Sequence, residues 1–412
     1  MQKNNKNILK NKIGFDSLLR YNSFADEGII VHDDKNFVFQ KSYWINGFDF
    51  ESSEPYEVQG ITKYLNLIFA GIATGWVISV NNIRSRDNTY LDTNKNHFVS
   101  PLLNLIDKER EYYFTKQSLL FKNKLVITFT YVAQNKIINK LSNFFVTSNK
   151  RKVSPKTFDL CLAEYKDQLN QYVKLIGRVM RLKALTDNET MTYLNYLVTG
   201  KWIKFELPEI TYTDLKYHVT EEYISGLEPK VGSMNIRIIA IDNYFPDESF
   251  PLMLERLNHL GFEFRWNTRF FFLTKLEAQK NINILSDMYE QDIIGLKGAV
   301  ANKTAFASRK YNRGAEYLFE EAENAKANSM ISNINYGKYG CNIVLYNENE
   351  QLINEQKSIV LSLLQEMGYK AREERINSQE AFLSTIDGEV YKNKRRSLIS
   401  TENLADLLPL SG

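Results

Sequence analysis

The sequence predicts an α/β (α+β) protein with two small mixed or antiparallel sheets, covered by helices and joined by a long helical segment. Three observations support this prediction. Residues 125–132 (LVITFTYV) alternate with the period of two that is typical of a strand. From Pro155 to about Leu185, apolar residues keep helical spacing. A coarse strand–helix–strand order occurs in each half of the chain, without a fixed-period repeat.

The first half is predicted to form one of the two sheets. Apolar runs on both sides of Asp33–Asn36 indicate a hairpin turn there. Pro55 stands near the start of a helical pattern, where a missing N–H is harmless. The other predicted elements of this half are a helix over 54–72, a strand over 76–80, a helix over 101–121 and a strand over 125–132.

The lysine-rich stretch 134–154 reads as a connector to the second half. Ser154 and Pro155 provide an N-cap and a first-turn proline for the long helix that follows. A shorter helix over 188–198 ends at Gly200. Strands are predicted over 217–224, 234–241, 262–273, 336–346 and 369–375. Helices are predicted over 250–260, 275–328 (interrupted near Gly295 and Gly298) and 350–367.

The patterns divide the chain into five segments. These are a basic lead (1–25), an α/β subdomain (26–150), a helical connector (151–215), a second α/β subdomain (216–380) and a linker (381–412). A length of 412 residues fits two or three domains at about 150 residues each.

Composition is ordinary for a globular protein, with 43% apolar and 25% charged residues. The net charge of +3, from 52 basic and 49 acidic residues, gives no global signature of nucleic-acid binding. The two cysteines, Cys161 and Cys341, and the four histidines show no spacing typical of a metal site. We therefore expect no metal-binding residue.

The sequence also bears on location. The N-terminus has no apolar segment typical of a secretory signal. The apolar stretch 64–80 is interrupted and shorter than the roughly 20 residues of a spanning helix. We expect a cytoplasmic protein that associates with the inner membrane peripherally at most.

No catalytic motif is found. A phosphate-binding loop needs GxxxxGK[ST], and in the nearest stretch, 297–304, Lys297 and Asn302 replace both glycines. Asp242 follows an apolar strand and has two interpretations, a catalytic carboxylate or, more commonly, a turn residue. We therefore name no catalytic or cofactor-binding residue.

Two basic features are candidates for nucleic-acid contact. Lys174, Arg178 and Arg181 are predicted on one helical face. A denser cluster contains Lys392, Lys394, Arg395 and Arg396. Since only Tyr391 is available for base stacking beside that cluster, a solvated face or a domain rim is the favoured interpretation.

Arg265–Trp266 and Arg269–Phe270 suggest cation–π pairs. The default explanation is a strand with alternate residues packed in a core, and the cation–π pairs are the alternative.

Two segments resemble the TrbE-like conjugal-transfer ATPases of the CagE/TrbE/VirB type IV secretion family. Residues 234–280 resemble the centre of that family's N-terminal domain, with its FEFRWNTRF run. The end of the chain resembles a family segment reading TxNLAxLLPL. The matching residues there are Asn403, Leu404, Ala405, Leu407, Leu408, Pro409 and Leu410. Asp387 departs from the proline usual before Gly388, which predicts a looser turn.

The resemblance implies the N-terminal portion of an ATPase that powers pilus assembly and substrate transfer. In the family a RecA-like domain follows, and ATP and Mg²⁺ bind there, so we expect neither cofactor in this chain. The candidate interface is the basic cluster 392–396 together with residues 403–410. Its leucines should meet the ATPase domain or fold back onto this domain, and otherwise form an exposed apolar patch.

The resemblance also sets the expected partners. These are other secretion components and a RecA-like half if it is encoded separately. A homo-oligomer is compatible with the sequence. A DNA-interaction module using the basic cluster is the alternative function, and an unrelated enzyme with an unseen site is a third.

Overall fold

The structure, a computed structural model, describes eleven stretches of the chain. They are residues 14–32, 37–47, 53–91, 95–117, 120–133, 155–208, 213–241, 249–294, 313–331, 333–392 and 395–409. Several sequence predictions fall outside these residues: the turn at 33–36, the connector 134–154, Asp242, the 297–304 stretch, Lys394 and Leu410.

The described strands form a single sheet, so the prediction of two small sheets is wrong in number, although the α/β class is confirmed. All strand pairs among the described residues are antiparallel. The strands are β1 (Tyr21–Asp26), β2 (Ile29–His32), β3 (Val38–Asn46), β4 (Trp76–Arg86), β5 (Phe121–Val132), β6 (Arg181–Ala184), β7 (Tyr223–Ile224), β8 (Lys230–Val231), β9 (Met234–Ile241), β10 (Phe264–Phe272), β11 (Tyr336–Asn347), β12 (Ala371–Glu373) and β13 (Ser397–Ser400).

The order across the sheet is β1-β2-β3-β5-β4-β10-β11-β9-β8-β7. β6 pairs with β3, β12 with β9, and β13 with β11. The two halves join where β4 pairs with β10, in a register that runs from Phe264 opposite Arg84 to Phe271 opposite Val77. This pairing satisfies backbone groups that two separate sheets would leave as open edges. The predicted subdomain boundaries stay a prediction.

The helices are α1 (Pro55–Ala70), α2 (Pro101–Tyr112), α3 (Pro155–Ile176), α4 (Asp187–Thr199), α5 (Lys275–Ile294), α6 (Arg313–Ile331), α7 (Glu350–Glu366), α8 (Ser378–Ser384) and α9 (Thr401–Leu407). A π-helical turn, Tyr113–Gln117, extends α2. Short 3₁₀ turns lie at Phe15–Leu18, Leu215–His218 and Glu255–His259.

Three predicted elements need correction. The long helix ends at Ile176 rather than Leu185, because residues 181–184 pair with β3 as a strand. The predicted strand 217–224 contains a 3₁₀ turn and only a two-residue strand. The predicted helix 250–260 is a 3₁₀ turn over Glu255–His259.

Each face of the sheet has its own core. One core is apolar and includes Trp76, Phe129 and Trp266, with α1, α3, α7 and α9 packed against it. The opposite face packs against α4, α8 and the N-terminal turn, with Tyr193, Leu197 and Phe382 in its core. Since burial of apolar surface stabilises a fold by about 25 cal/mol per Å², these two cores make the main stabilising contribution.

Candidate functional site

A band of buried polar side chains crosses the centre of the second face of the sheet. On β10, apolar Phe264, Trp266 and Phe270 point into the first core. Arg265, Asn267 and Arg269 alternate with the residues on that face, and all three are at most 4% exposed. Successive strand residues point to opposite faces, so these three side chains lie side by side on the second face.

Neighbouring strands continue the band. Ser79 lies opposite Arg269, and Asn81 opposite Asn267, in the β4–β10 register. Thr128 of β5 lies opposite Ser79. Asn267 Nδ2 donates to Ser79 Oγ at 3.1 Å and to Asn81 Oδ1 at 3.0 Å. Hydrogen bonds among these buried polar groups offset part of the cost of removing them from water.

The turn that follows α8 lies directly on this band. Arg265 Nη1 donates to Thr385 O at 2.6 Å, and its Nη2 donates to Thr385 Oγ1 at 2.8 Å. The guanidinium of Arg269 donates to the carbonyl oxygens of Ser384 and Glu389. We call this arrangement the clamp. It consists of Arg265 and Arg269, the turn at 384–389 that they hold, and the hydrogen-bond partners of Asp387 in that turn.

Asp387 is the centre of the clamp. Its carboxylate accepts hydrogen bonds of 2.6 Å from Ser79 Oγ, Thr128 Oγ1 and Tyr193 OH. Asn81 Nδ2 donates to it at 3.1 Å. The side chain is 1% exposed. The expectation that Asp387 loosens the turn is therefore wrong, because this carboxylate attaches the turn to β4, β5 and α4.

The electrostatics of the clamp follow from burial. Burial lowers the pKa of the Arg269 guanidinium, and the nearby Asp387 and Glu389 carboxylates oppose that shift. Burial, reinforced by the Asp387 charge, raises the pKa of Tyr193 and of Tyr21 well above the usual value. Both tyrosines therefore stay protonated donors, and Tyr21 OH donates to Asp387 O at 2.7 Å.

Gly388 allows the turn to approach the sheet. Its φ of +84° lies in the left-handed region that favours glycine. A Cβ there would overlap Gln40 Oε1 and the ring of His32. His32 Nε2 and Gln40 Oε1 are themselves 3.0 Å apart in a buried pair. No other residue fits this position without displacing them.

The described residues of the basic cluster are compensated within the chain. Lys392 Nζ lies 3.1 Å from Glu380, and Arg395 Nη1 lies 3.2 Å from Glu374. Arg396 Nη2 donates to Lys392 O at 2.8 Å, and its guanidinium lies 3.6 Å from the centre of the Phe271 ring. Burial and the charge of Arg269 lower the pKa of Arg396 to about 9.

The described residues of the 403–410 segment fold back onto this domain, one of the two arrangements expected. Leu404, Leu407 and Leu408 are 0–3% exposed in the first core, so they form no exposed patch. Pro409 is also buried. Asn403 serves α9 itself: its N–H donates to Ser400 Oγ at 3.0 Å, and its side chain accepts from Ser400 N at 3.2 Å.

The other predicted features do not come together. Lys174, Arg178 and Arg181 do not share a helical face, because α3 ends at Ile176. The alternative interpretation of Arg265–Trp266 and Arg269–Phe270 as cation–π pairs is wrong, since adjacent strand residues point to opposite faces. The favoured interpretation, a core strand, is confirmed. Arg269 instead lies 5.1 Å from the centre of the Phe271 ring.

The geometry of the clamp indicates attachment rather than catalysis. The Asp387 carboxylate and the Nη atoms of both arginines are occupied by internal hydrogen bonds, and all three side chains are closed to solvent. The sequence carried one signal for it, the alternation of Arg265, Asn267 and Arg269 with aromatic residues. The contribution of Asp387, more than 100 residues downstream, had none beyond its departure from the resembled pattern.

Comparison with known proteins agrees with the resemblance. One family model, "Type IV secretion system ATPase VirB4/TrbE, N-terminal domain", matches residues 28–137. A second, "CagE, TrbE, VirB family, component of type IV transporter system", matches residues 176–395, which is more than half of the chain. The chain belongs to the CagE, TrbE, VirB family.

Three relatives show how much of this family the chain represents. The conjugal transfer protein TrbE of Rhizobium radiobacter is 28% identical over 411 residues, covering 96% of this chain and 49% of the relative. In Sinorhizobium fredii, two separate chains are described as the first and second parts of a probable conjugal transfer protein TrbE. The second is 31% identical over 224 residues, 54% of this chain and 33% of the relative. The first is 26% identical over 117 residues, 28% of this chain and 77% of the relative. The chain described here thus spans about half the length of the Rhizobium protein.

The second family match contains most of the clamp. Residues 176–395 include Tyr193, both clamp arginines and the turn at 384–389. Ser79, Asn81 and Thr128 come from the segment matched by the first model. The clamp therefore joins the two matched segments in one polar network. Across the described residues, no helix is both long and apolar enough to span a membrane.

Proposed function

We propose that this chain is the N-terminal assembly and docking portion of a type IV secretion ATPase that takes part in pilus biogenesis and in DNA or protein transfer. ATP binding in this proposal belongs to the larger family proteins and not to the residues present here. The observation that carries the proposal is the clamp, which fixes the turn at 384–389, directly after α8, to the central sheet.

The position of this segment supports a docking role. In the resembled family, the segment that ends in LLPL leads into a RecA-like domain. Here that segment is held by Asp387 and two buried arginines, and its leucines are inside the first core. A domain attached to it would start from a fixed point on the sheet, so that movements of one would be transmitted to the other.

The comparisons support the choice of partners. The Sinorhizobium fredii relatives are described as two separate portions of a probable conjugal transfer protein, and this chain matches both. We propose other secretion components as partners, together with a RecA-like half wherever it is a separate protein. The proposed location is cytoplasmic, with peripheral contact at the inner membrane.

Docking is tested with a RecA-like half expressed from the same locus. The wild-type chain should bind it. Asp387→Asn should weaken binding, because a released segment presents the half in many orientations. Lys183→Ala, an exposed change on β6, is the matched control. Aspartate at Leu407 and Leu408 is unsuitable, since both leucines are buried and the variant would unfold.

Two outcomes count against this proposal. If the wild-type chain does not bind the half, the docking role fails. If Asp387→Asn binds as well as wild type, the clamp has no role in docking. Nucleotide binding is tested by calorimetric titration with ATP and Mg²⁺, where we expect no binding because neither phosphate-loop glycine is present at 297–304. Low-micromolar affinity would overturn that expectation.

The alternative, a DNA-interaction module based on the basic cluster, is less well supported. Lys392 and Arg395 each pair with a glutamate, and Arg396 is packed on Phe271. Binding of phosphates would have to displace these partners. Fluorescence polarisation with a labelled oligonucleotide decides the question: the alternative requires an affinity that falls steeply with salt and is lost in Lys392→Ala with Arg395→Ala.

A further inference from the structure

Helix α2 stands apart from both cores. Strands β4 and β5 pair from Trp76 opposite Tyr131 to Arg86 opposite Phe121, and α2 lies in the connection between them. None of the twelve residues of α2 is buried. A helix this short is marginally stable alone in water, so packing against another surface would stabilise it.

One side of α2 is attached to its own connection. Asp107 accepts hydrogen bonds from Tyr90 OH, at 2.8 Å, and from the side-chain amide of Asn96. Asn104 Nδ2 donates to Phe98 O at 3.2 Å. The Phe114 ring stacks on Tyr90 with centroids 5.7 Å apart. These contacts attach the side of α2 that carries Asn104 and Asp107 to the connection.

The outward side carries an exposed apolar stripe. Leu102, Leu105, Ile106 and Tyr113 are 64%, 59%, 45% and 56% exposed. Their spacing of three, four and seven residues places them on one face of a helix. Glu109 occupies the same face, between Ile106 and Tyr113, and is exposed. An exposed apolar stripe of this kind marks an interaction surface.

The carboxylate of Glu109 within the stripe indicates which kind of surface the stripe binds. Insertion into a bilayer would bury the Glu109 carboxylate among the leucines, which is costly. The polar side of α2 also mixes Lys108, Arg110 and Glu111, whereas helices that lie on membranes carry mainly basic residues there.

A second copy of α2 fits no better. In a parallel pair the two Glu109 carboxylates would face each other, a like-charge contact. In an antiparallel pair each would face apolar residues such as Leu105. A helix from a different protein, with an aliphatic stripe and one lysine or arginine in it, would satisfy both the leucines and Glu109. Single polar positions in such stripes are known to select partner and register.

We propose that the α2 stripe, defined as Leu102, Leu105, Ile106, Glu109 and Tyr113, docks an amphipathic helix of another protein, with a basic residue opposite Glu109. This inference rests on the assembly role proposed above and names the chemistry of one partner.

The test places a photo-crosslinking residue on the stripe in cells that carry the secretion locus. Leu105 is replaced with p-benzoylphenylalanine in the full-length chain, and Ile376, 97% exposed elsewhere on the surface, is the control position. We expect a protein adduct from position 105 only, mapped by mass spectrometry to an aliphatic helix containing a lysine or arginine. Glu109→Lys should reduce the adduct about tenfold or more, and glutamate at the mapped basic residue should restore it.

Other outcomes overturn the proposal. An adduct with α2 of a second copy shows self-association. Flotation of the purified chain with phosphatidylcholine–phosphatidylglycerol vesicles, lost in Leu105→Asp, shows a lipid surface. No adduct at 105 while the chain still co-purifies with secretion components removes the α2 proposal alone, whereas loss of that co-purification as well removes the assembly role.

Discussion

Replacing Asp387 with asparagine tests the clamp directly. The substitution keeps the size of the side chain but removes its charge and turns one acceptor oxygen into a donor. Three donors at 2.6 Å, from Ser79, Thr128 and Tyr193, then compete for one remaining oxygen. Arg269 also loses a nearby opposite charge in a site that is 1–4% exposed.

The expected loss follows from those contacts. Removing one partner from a buried charged network costs about 3–5 kcal/mol, because the remaining charge and donors stay desolvated. For a chain of 412 residues that melts as one unit, this is a shift of about 4–6 °C in Tm. Urea denaturation followed by circular dichroism measures the free energy, and thermal melting measures the shift.

The control is the same substitution at an exposed site. Asp26→Asn removes a surface ion pair with Lys166 and should leave the denaturation midpoint nearly unchanged. If Asp387→Asn costs less than about 1 kcal/mol, the carboxylate is not holding the turn and the reasoning is refuted. A double-mutant cycle with Arg269→Met would show strong coupling if the two residues act together.

Three further changes test the fold. Gly388→Ala should destabilise the fold by about 2–5 kcal/mol, because its φ is positive and a Cβ would overlap Gln40 and His32. Gly60→Ala, with open space around its Cβ, should stabilise the fold slightly. The check is that the two variants shift the denaturant midpoint in opposite directions. Thr186→Ala should cost about 1 kcal/mol by removing the capping box of α4, and Thr186→Ser should retain most of it in the same assay. Stability should fall as pH rises above 10, because burial raises the pKa of Tyr43 to about 12 and those of Tyr21 and Tyr193 well above normal, so the unfolded state loses protons first. Cations with lowered pKa values, such as Arg396 and Arg269, act in the opposite direction but are fewer than the tyrosines whose pKa is raised; equal midpoints at pH 9 and about pH 11.5 would contradict the tyrosine argument.

The strands could be predicted because their burial pattern is local. Residues 234–241 and 336–346 read as strands from their apolar content alone, and the structure gives Met234–Ile241 and Tyr336–Asn347. The helix over 188–198 was equally clear, since Gly200 ends it in the left-handed conformation. In these segments local propensity and tertiary packing favour the same state.

Sheet number could not be predicted in the same way. Whether β4 pairs with β10 depends on residues about 190 positions apart, and hydrophobic alternation says nothing about which edges meet. Residues 181–184 illustrate the same limit, since helical spacing continued to Leu185 while the backbone found a partner in β3. The tertiary pairing overrode the local pattern.

The clamp was hidden from sequence reasoning for a related reason. From the sequence, the positions of Arg265 and Arg269 beside aromatic residues fit either members of a core strand or cation–π partners. Which carboxylate would balance them depended on where the turn at 384–389 landed. For Leu404, Leu407 and Leu408, the sequence allows contact with an ATPase domain or a fold back onto this domain. Their burial in the first core shows that they fold back.

A buried charged network needs a reason beyond stability. Apolar residues of similar volume at Arg265, Arg269 and Asp387 would often give equal or greater stability, since desolvation opposes the attraction between the charges. Apolar contacts, however, have little directional preference. Hydrogen bonds do, and the clamp provides defined partners for Thr385 O, Glu389 O and the Asp387 carboxylate. It allows the turn one position on the sheet and disfavours every other, because any shift leaves buried donors unpaired. The turn is held in one register by hydrogen bonds that join two segments matched by separate family models, and the proposed docking role requires such a fixed position.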